Sequence, residues 1–274
     1  MMDAVLRAWG VTDRGRVRAT NEDCFVIDER CRLCVVADGM GGHKAGEVAA
    51  RMAADAVAAF VRQSYSGTGP PDPFWPFGFD PELSEAGNLL RTAIHLANVQ
   101  ILETAGSVDE CAGMGTTVVA AILTTAGDGD GGGARLSVAH VGDSRLYLVA
   151  NGRMRQLTCD DSWVATVLAQ NPKADPAILR HHPMRNALTN VVGARSRVEV
   201  HVVEEILSGG ERLVLTTDGV HGAIDDRQLE RIVRAAPDLR QVSADLVATA
   251  LAHGSRDNCT AVVAQYIRGV MADG

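Results

Sequence analysis

The chain predicts an α+β fold, a four-layer αββα sandwich whose two central, mostly antiparallel sheets are flanked by helix pairs. Three features of the sequence predict it. Strand-like runs dominate both ends of the chain and recur in its middle. Helical stretches come in pairs between them. Short turns such as Asn151-Gly152 join neighbouring strands as hairpins.

In order, residues 4–11 and 23–28 read as strands around the turn-rich Thr12-Asp13-Arg14-Gly15-Arg16, and 33–38 is the next apolar run. Val48, Met52, Val57, Phe60 and Val61 recur at helical spacing between Gly46 and Arg62. Leu90, Ala93, Ala97 and Ile101 do the same between Pro81 and Ala105. Ser64 to Phe79, rich in Pro, Gly and aromatics, is too punctuated for either period and reads as a loop packing its own aromatic side chains on the surface. Strands follow at 116–124, 135–141, 145–149 and 153–157. The first two are joined by the glycine-rich Gly127 to Gly133, which resembles a calcium loop. Gly132 stands where a third ligand belongs and no bidentate Glu follows, so a flexible hairpin tip is the better reading. Residues 161–193 form a helical and loop-like excursion before an alternating strand at 198–202. Strand 212–217, helices at 226–235 and 239–253, and strand 259–267 complete the order.

The 274 residues fit one domain, 1–274, with no linker-like stretch to divide them. The net charge of −8 argues against non-specific nucleic-acid binding. The six cysteines are scattered. Cys31-Arg32-Leu33-Cys34 lacks a second pair to complete a zinc site, which points to ordinary strand cysteines in a reducing compartment. The N-terminus shows no signal pattern, the apolar run around Val118 to Leu123 is too short to span a bilayer, and no tail follows the last strand as a membrane anchor. The expectation is a soluble cytoplasmic protein.

Two apolar runs end in Asp-Gly: Leu33 to Asp38-Gly39 and Leu213 to Asp218-Gly219. Asp143 follows a third strand and Asp257 precedes a fourth. Asp-Gly is also a favoured hairpin turn, but here glycine-rich loops and helices follow, not returning strands. Burying charge is costly, so carboxylates gathered at strand ends call for a compensating cation. Carboxylate and backbone oxygen suit Mg²⁺ or Mn²⁺, and the number of acidic groups suits two ions that activate water and clamp a phosphoryl group. Gly39, with no side chain, lets its peptide approach an ion. Arg18, near the acidic pair Glu22 and Asp23, offers a fork for a phosphate, a surface arginine being the alternative.

Arg18-x-x-Asn21-Glu22-Asp23, Asp38-Gly39-Met40-Gly41-Gly42-His43, Gly46-Glu47, Met114-Gly115-Thr116-Thr117, Val141-Gly142-Asp143-Ser144-Arg145, Leu157-Thr158-x-Asp160, Thr217-Asp218-Gly219 and Arg256-Asp257-Asn258 occur in this order. Through them the chain resembles, over nearly its whole length, the PPM family, the type 2C metal-dependent protein serine/threonine phosphatases, in its bacterial form. The resemblance implies an αββα sandwich with a binuclear Mn²⁺ or Mg²⁺ site in the cleft between the sheets. Asp38 would bridge both ions, Gly39 would give its carbonyl to the second, and Asp218 and Asp257 would hold the first. Glu22 or Asp23 would serve the second ion, directly or through water. Asp143 would help bind a third, weaker ion, and Arg18 would bind the substrate phosphate. Gly219 would mainly allow a turn. The excursion 161–193 would be the family's flap, which influences substrate choice.

The chain departs from the family pattern at three positions. Met40 stands where many eukaryotic members carry a histidine proposed as general acid. His43 is the candidate replacement, a structural histidine being the alternative. Asp161 stands where relatives often have His, and Asn190 where an Arg is frequent; both lie where they could tune substrate access. The resulting expectation is a monomeric protein phosphatase that hydrolyses phosphoserine or phosphothreonine on proteins by attack of a metal-bridging hydroxide, opposing a serine/threonine kinase. A phosphatase-like binding module of weak turnover and a small-molecule phosphohydrolase are the competing readings.

Overall fold

Two antiparallel sheets stack face to face, and each carries helices on its outer side. The structure is a computed structural model and describes residues 4–41, 44–66, 75–125, 133–175, 178–179 and 182–268. Its strands are β1 (Ala4–Asp13), β2 (Asp23–Asp28), β3 (Leu33–Met40), β4 (Gly115–Thr116), β5 (Val118–Thr125), β6 (Ala134–Val141), β7 (Arg145–Ala150), β8 (Arg153–Gln156), β9 (His201–Leu207), β10 (Arg212–Thr216) and β11 (Cys259–Arg268). The helices are α1 (Ala45–Tyr65), α2 (Glu85–Ser107), α3 (Trp163–Gln170), α4 (Asp218–His221), α5 (Asp226–Ala235) and α6 (Leu239–Ala252). One sheet runs β1-β11-β10-β7-β8. The other runs β2-β3-β5-β6-β9, with β4 paired to β3.

Strand β3 shows why the order of layers follows from the sequence. Leu33, Val35 and Ala37 pack with α1 and α2, while Cys34 and Val36 pack against the other sheet. Successive side chains alternate between faces, so a strand covered on both sides reads as an unbroken apolar run. In α1 six of the nine buried positions are alanine, including Ala49, Ala50, Ala53 and Ala54, which lets the helix lie close on the sheet. Leu6, Val119, Leu136, Leu215, Val262 and Tyr266 fill the layer between the sheets. Each such side chain stabilises the fold by about 1.5–3 kcal/mol relative to exposure. Helices α5 and α6 close the fourth layer over Val214, Ala261 and Val263.

The four-layer expectation holds, with local corrections. Helix α2 starts at Glu85 rather than Pro81, because Ser84 caps it and the Asn88 amide folds residues 80–84 back onto its first turn. The strand expected at 198–202 begins at His201, opposite His140 of β6. Upstream, the Asn190 amide takes both backbone groups of Glu199, which removes that residue from any ladder. Asn151 and Gly152 both have positive φ, 51° and 73°, as the hairpin turn requires. Trp75 and Phe79 meet with ring centroids 5.4 Å apart. The hairpin tip 126–132, loop residues 67–74 and His43 lie outside the described residues. All six cysteines are unpaired. Among the described residues no helix is long and apolar enough to cross a membrane.

Candidate active site

Strand parity decides where the acidic residues go. On β2, Phe25 and Ile27 face the inter-sheet layer, and so does Asp23 two residues earlier. On β3 the inter-sheet series Cys34 and Val36 continues to Asp38. The series Leu213 and Leu215 on β10 continues to Thr217, and Val262 on β11 is preceded by Thr260. The apolar layer therefore ends, at one end of the sandwich, in a cluster of polar side chains contributed by both sheets.

Asp23 and Asp38 are register partners across β2 and β3. Asp218 opens α4 directly after β10, Asp257 lies just ahead of β11, and Asp143 occupies the turn between β6 and β7. Asp23 is 7% exposed, and the other four are half-buried. Burial, reinforced by Asp218 and Asp257, pushes the Asp23 carboxyl up to about 7. Burial, with Asp218 and Asp160 nearby, pushes Asp143 up to about 7. Asp218 is pushed up to about 6 by burial and by Asp257. Asp38 is pushed well above the usual carboxylate range by burial and by Asp23, Asp218, Asp143 and Asp257. Burial is the first cause in every case, and neighbouring carboxylates add to it, as expected where acidic groups are gathered in one place.

Asp23 Oδ1 and Asp218 Oδ1 are buried and meet no hydrogen-bond donor. Buried polar atoms are normally satisfied, so such oxygens need an explanation, and a hard divalent cation supplies one. Among the described residues no three His, Cys, Asp or Glu side chains close around one point as a finished cage. Asp38 lies close enough to Asp218 to feel its charge, and Arg18 Nη2 donates to Asp257 Oδ2 at 2.6 Å. A cation at Asp257 would compete with Arg18 for that carboxylate.

The remaining expected residues cluster at the same end. Arg18 is half-exposed and lies against Asp257, with Glu22 and Asp38 close enough to raise its pKa further. The Glu22 carboxylate lies beside Gly46 at the start of α1, where a Cβ would strike Glu22 Oε2. A Cβ on Gly39 would strike the backbone of Gly46, so the glycine is needed for close approach of β3 to α1. Asp23 is turned the other way, toward β10 and β11. The acidic pair therefore divides: Glu22 is on the Gly39 side and Asp23 on the Asp218 side. Met40 is exposed next to the cluster.

Several organising residues were not given roles by the sequence reading. Thr217 Oγ1 and Thr260 Oγ1 donate to Asp23 Oδ2 at 2.8 and 2.6 Å. Asn258 Oδ1 accepts from Glu22 N at 2.8 Å, while its amide donates to the carbonyls of Arg14 and Thr20, which shapes the Arg18 turn. Thr117 Oγ1 accepts from Asp38 N and meets Ser144 Oγ at 2.7 Å, joining the Asp38 strand end to the Asp143 turn. The signal was available in the hydroxyl-rich ends of these strands. Gly219, expected to permit a turn, is instead a contact glycine inside α4: a Cβ there would run into the Asn258 carbonyl.

The fold that gathers these residues at one end is shared with proteins of known structure. The chain is 32% identical over 266 residues to the serine/threonine phosphatase stp of Listeria welshimeri, covering 96% of each. It superposes on the serine/threonine phosphatase PstP/Ppp of Mycobacterium tuberculosis with a TM-score of 0.78 at 31% identity, covering 95% of this chain and 98% of that one. The catalytic domain of PstP in complex with two manganese ions matches with a TM-score of 0.77 at 29% identity, covering 97% and 100%. The family model for protein phosphatase 2C matches residues 16–257, a stretch that contains Arg18 and every aspartate of the cluster, and the chain belongs to that family.

Proposed function

We propose that this chain is a metal-dependent protein phosphatase that hydrolyses phosphoserine and phosphothreonine on proteins, with residues 1–274 forming one catalytic domain. The observation that carries the reading is the cluster of mutually repelling carboxylates with two donor-free buried oxygens, Asp23 Oδ1 and Asp218 Oδ1. Two Mn²⁺ or Mg²⁺ ions would be held by Asp38 together with Asp218 and Asp257 on one side and the Gly39 carbonyl and Glu22 on the other, and Asp143 would serve a third, weaker site. Asp23 supports the first-ion side through its threonine-held carboxylate. When bound, the ions supply Lewis acidity for water and for phosphoryl oxygen. The protein's own part is to aim that chemistry. Strand ends fix Asp38 and Asp218, and Arg18 offers a permanently charged fork to the phosphate once it leaves Asp257. His43 remains the candidate proton donor to the leaving oxygen. A phosphorylated protein is the substrate class, and we place the enzyme in the cytoplasm as a monomer opposing a serine/threonine kinase.

The test is hydrolysis of a phosphothreonine peptide, an aryl phosphate and a nucleotide with Mn²⁺, with EDTA, and after Mn²⁺ is returned. Peptide turnover that disappears with EDTA and returns with Mn²⁺ is expected. Metal-independent turnover, or none on the peptide, overturns the reading. Arg18→Ala is expected to raise KM for the peptide about tenfold or more, the loss of a charge-assisted hydrogen bond, with a smaller fall in kcat. An unchanged KM would remove Arg18 from phosphate binding.

A further inference from the structure

The two departures from the family pattern in the excursion 161–193, Asp161 and Asn190, touch each other. Asp161 Oδ2 accepts from Asn190 Nδ2 at 2.8 Å and from the backbone N–H of Gly142 at 2.9 Å. Asp161 Oδ1 lies 3.0 Å from His201 Nε2, at the start of β9. The Asp161 backbone adds two bonds, donating to the Gly142 carbonyl at 3.0 Å and accepting from Thr189 N at 2.9 Å. The side chain is 13% exposed. One carboxylate thus joins the beginning of the excursion, its end, the sheet edge, and the residue immediately before Asp143.

The other side of the neck is fastened as well. Thr116 and Val192 exchange both backbone hydrogen bonds, at 2.9 and 3.0 Å. Thr116 Oγ1 donates to the Asp38 carbonyl at 2.9 Å. Ser162 bridges Leu188, and Trp163 N donates to the Ala187 carbonyl at 2.8 Å. Asn190 also donates to the Glu199 carbonyl at 2.7 Å, which fixes the exit toward β9. The excursion is therefore closed at its base, and the closure grips the end of β3 that carries Asp38 and the turn that carries Asp143. The Asp161 side chain makes three of these contacts at once.

We propose that Asp161 is a positioning residue that, through Asn190 and His201, clamps the neck of the 161–193 flap onto the Asp143 turn and the adjoining end of β3 and thereby sets how the flap meets a protein substrate. The proposal rests on the phosphatase reading above. A peptide is large enough to meet the excursion beside the acidic cluster, whereas a small aryl phosphate has little surface to offer it. Loosening the neck therefore affects the two substrates differently.

Asp161→Ala is expected to raise KM for a phosphothreonine peptide about tenfold while kcat for p-nitrophenyl phosphate stays within about twofold. Asn190→Ala, at the half-exposed end of the same link, gives the same split with less risk to folding. The double variant is expected to be no worse than Asp161→Ala alone, since both remove one coupled unit. In the metal-free protein, amides of residues 182–190 exchange faster in both variants than in the wild type. Equal losses on both substrates, strictly additive effects, or unchanged exchange at 182–190 would overturn the clamp. A wild type that hydrolyses neither substrate with Mn²⁺ overturns the phosphatase reading itself, so the two failures are told apart.

Discussion

Replacing Asp38 by asparagine is expected to abolish Mn²⁺-dependent hydrolysis and, in the same protein, to raise the stability of the metal-free fold. The first effect follows from position. Asp38 ends the inter-sheet face of β3 with its carbonyl held by Thr116 and Thr117, so its side chain has no freedom to be replaced by a neighbour. It is also the carboxylate that senses Asp23, Asp218, Asp143 and Asp257 together. As the proposed bridge between ions, its loss removes ligands from both, and kcat/KM for a phosphothreonine peptide should fall about 10³-fold or more. The second effect follows from charge. Without metal, the ionised Asp38 is opposed by burial and by four like charges. Asparagine keeps the shape and removes the repulsion. The melting temperature in EDTA at pH 8 should rise by about 2–4 °C for each kcal/mol relieved. A variant that retains wild-type turnover sinks the bridging assignment, and a lower melting temperature would mean that the carboxylate is structural.

The opposite signs of these two effects reflect how the sequence encodes the site. The apolar parity of β2, β3, β10 and β11 fixes both the sandwich and the face on which Asp23, Asp38, Thr217 and Thr260 emerge, so fold and cluster were legible together. The spacing of Asp-Gly after apolar runs identified Asp38 and Asp218 for the same reason. What was not legible depends on long-range backbone contact. Gly219 is required by the Asn258 carbonyl, a residue far away in the sequence. Asn258 itself shapes the Arg18 turn through three hydrogen bonds that no local pattern announces. The strand expected at 198–202 starts only at His201 because Asn190, not a neighbouring strand, satisfies Glu199. Asp161 and Asn190 were visible only as departures, each apparently isolated. Their contact across the neck of the excursion makes them one feature.

The metal-free protein is expected to lose stability as pH rises from 6.5 to 8, and Mn²⁺ is expected to restore it. Asp23 and Asp143, pushed up from an ordinary 3.8 to about 7, still hold protons in the folded state at pH 6.5, where the unfolded chain has lost them. A folded state that binds more protons is favoured at low pH, and that advantage disappears as pH passes through the folded value. Buried His140, pushed down to about 4, acts with the opposite sign: neutral when folded, it favours folding increasingly as pH climbs toward 6.5. His221, also pushed down, does the same. The two effects oppose each other below pH 6.5. Above it the unfolded histidines still give up their last half-proton each, which offsets about half of the carboxylate effect up to about pH 7.5. Two carboxylates near 7 therefore leave a net loss of about 1 kcal/mol between pH 6.5 and 8, or a fall in melting temperature of about 2–4 °C in EDTA. Cations replace the protons, so their effect grows with pH. At a free concentration about a hundredfold above Kd, one site adds about 2.7 kcal/mol, a rise of about 5–10 °C at pH 8 and less at pH 6. Thermal melts of EDTA-treated and Mn²⁺-loaded protein across this range measure both. A metal-free melting temperature that is flat or rising from pH 6.5 to 8 would show that the aspartates are not held against their own charge, and would remove the reason for a cation among them.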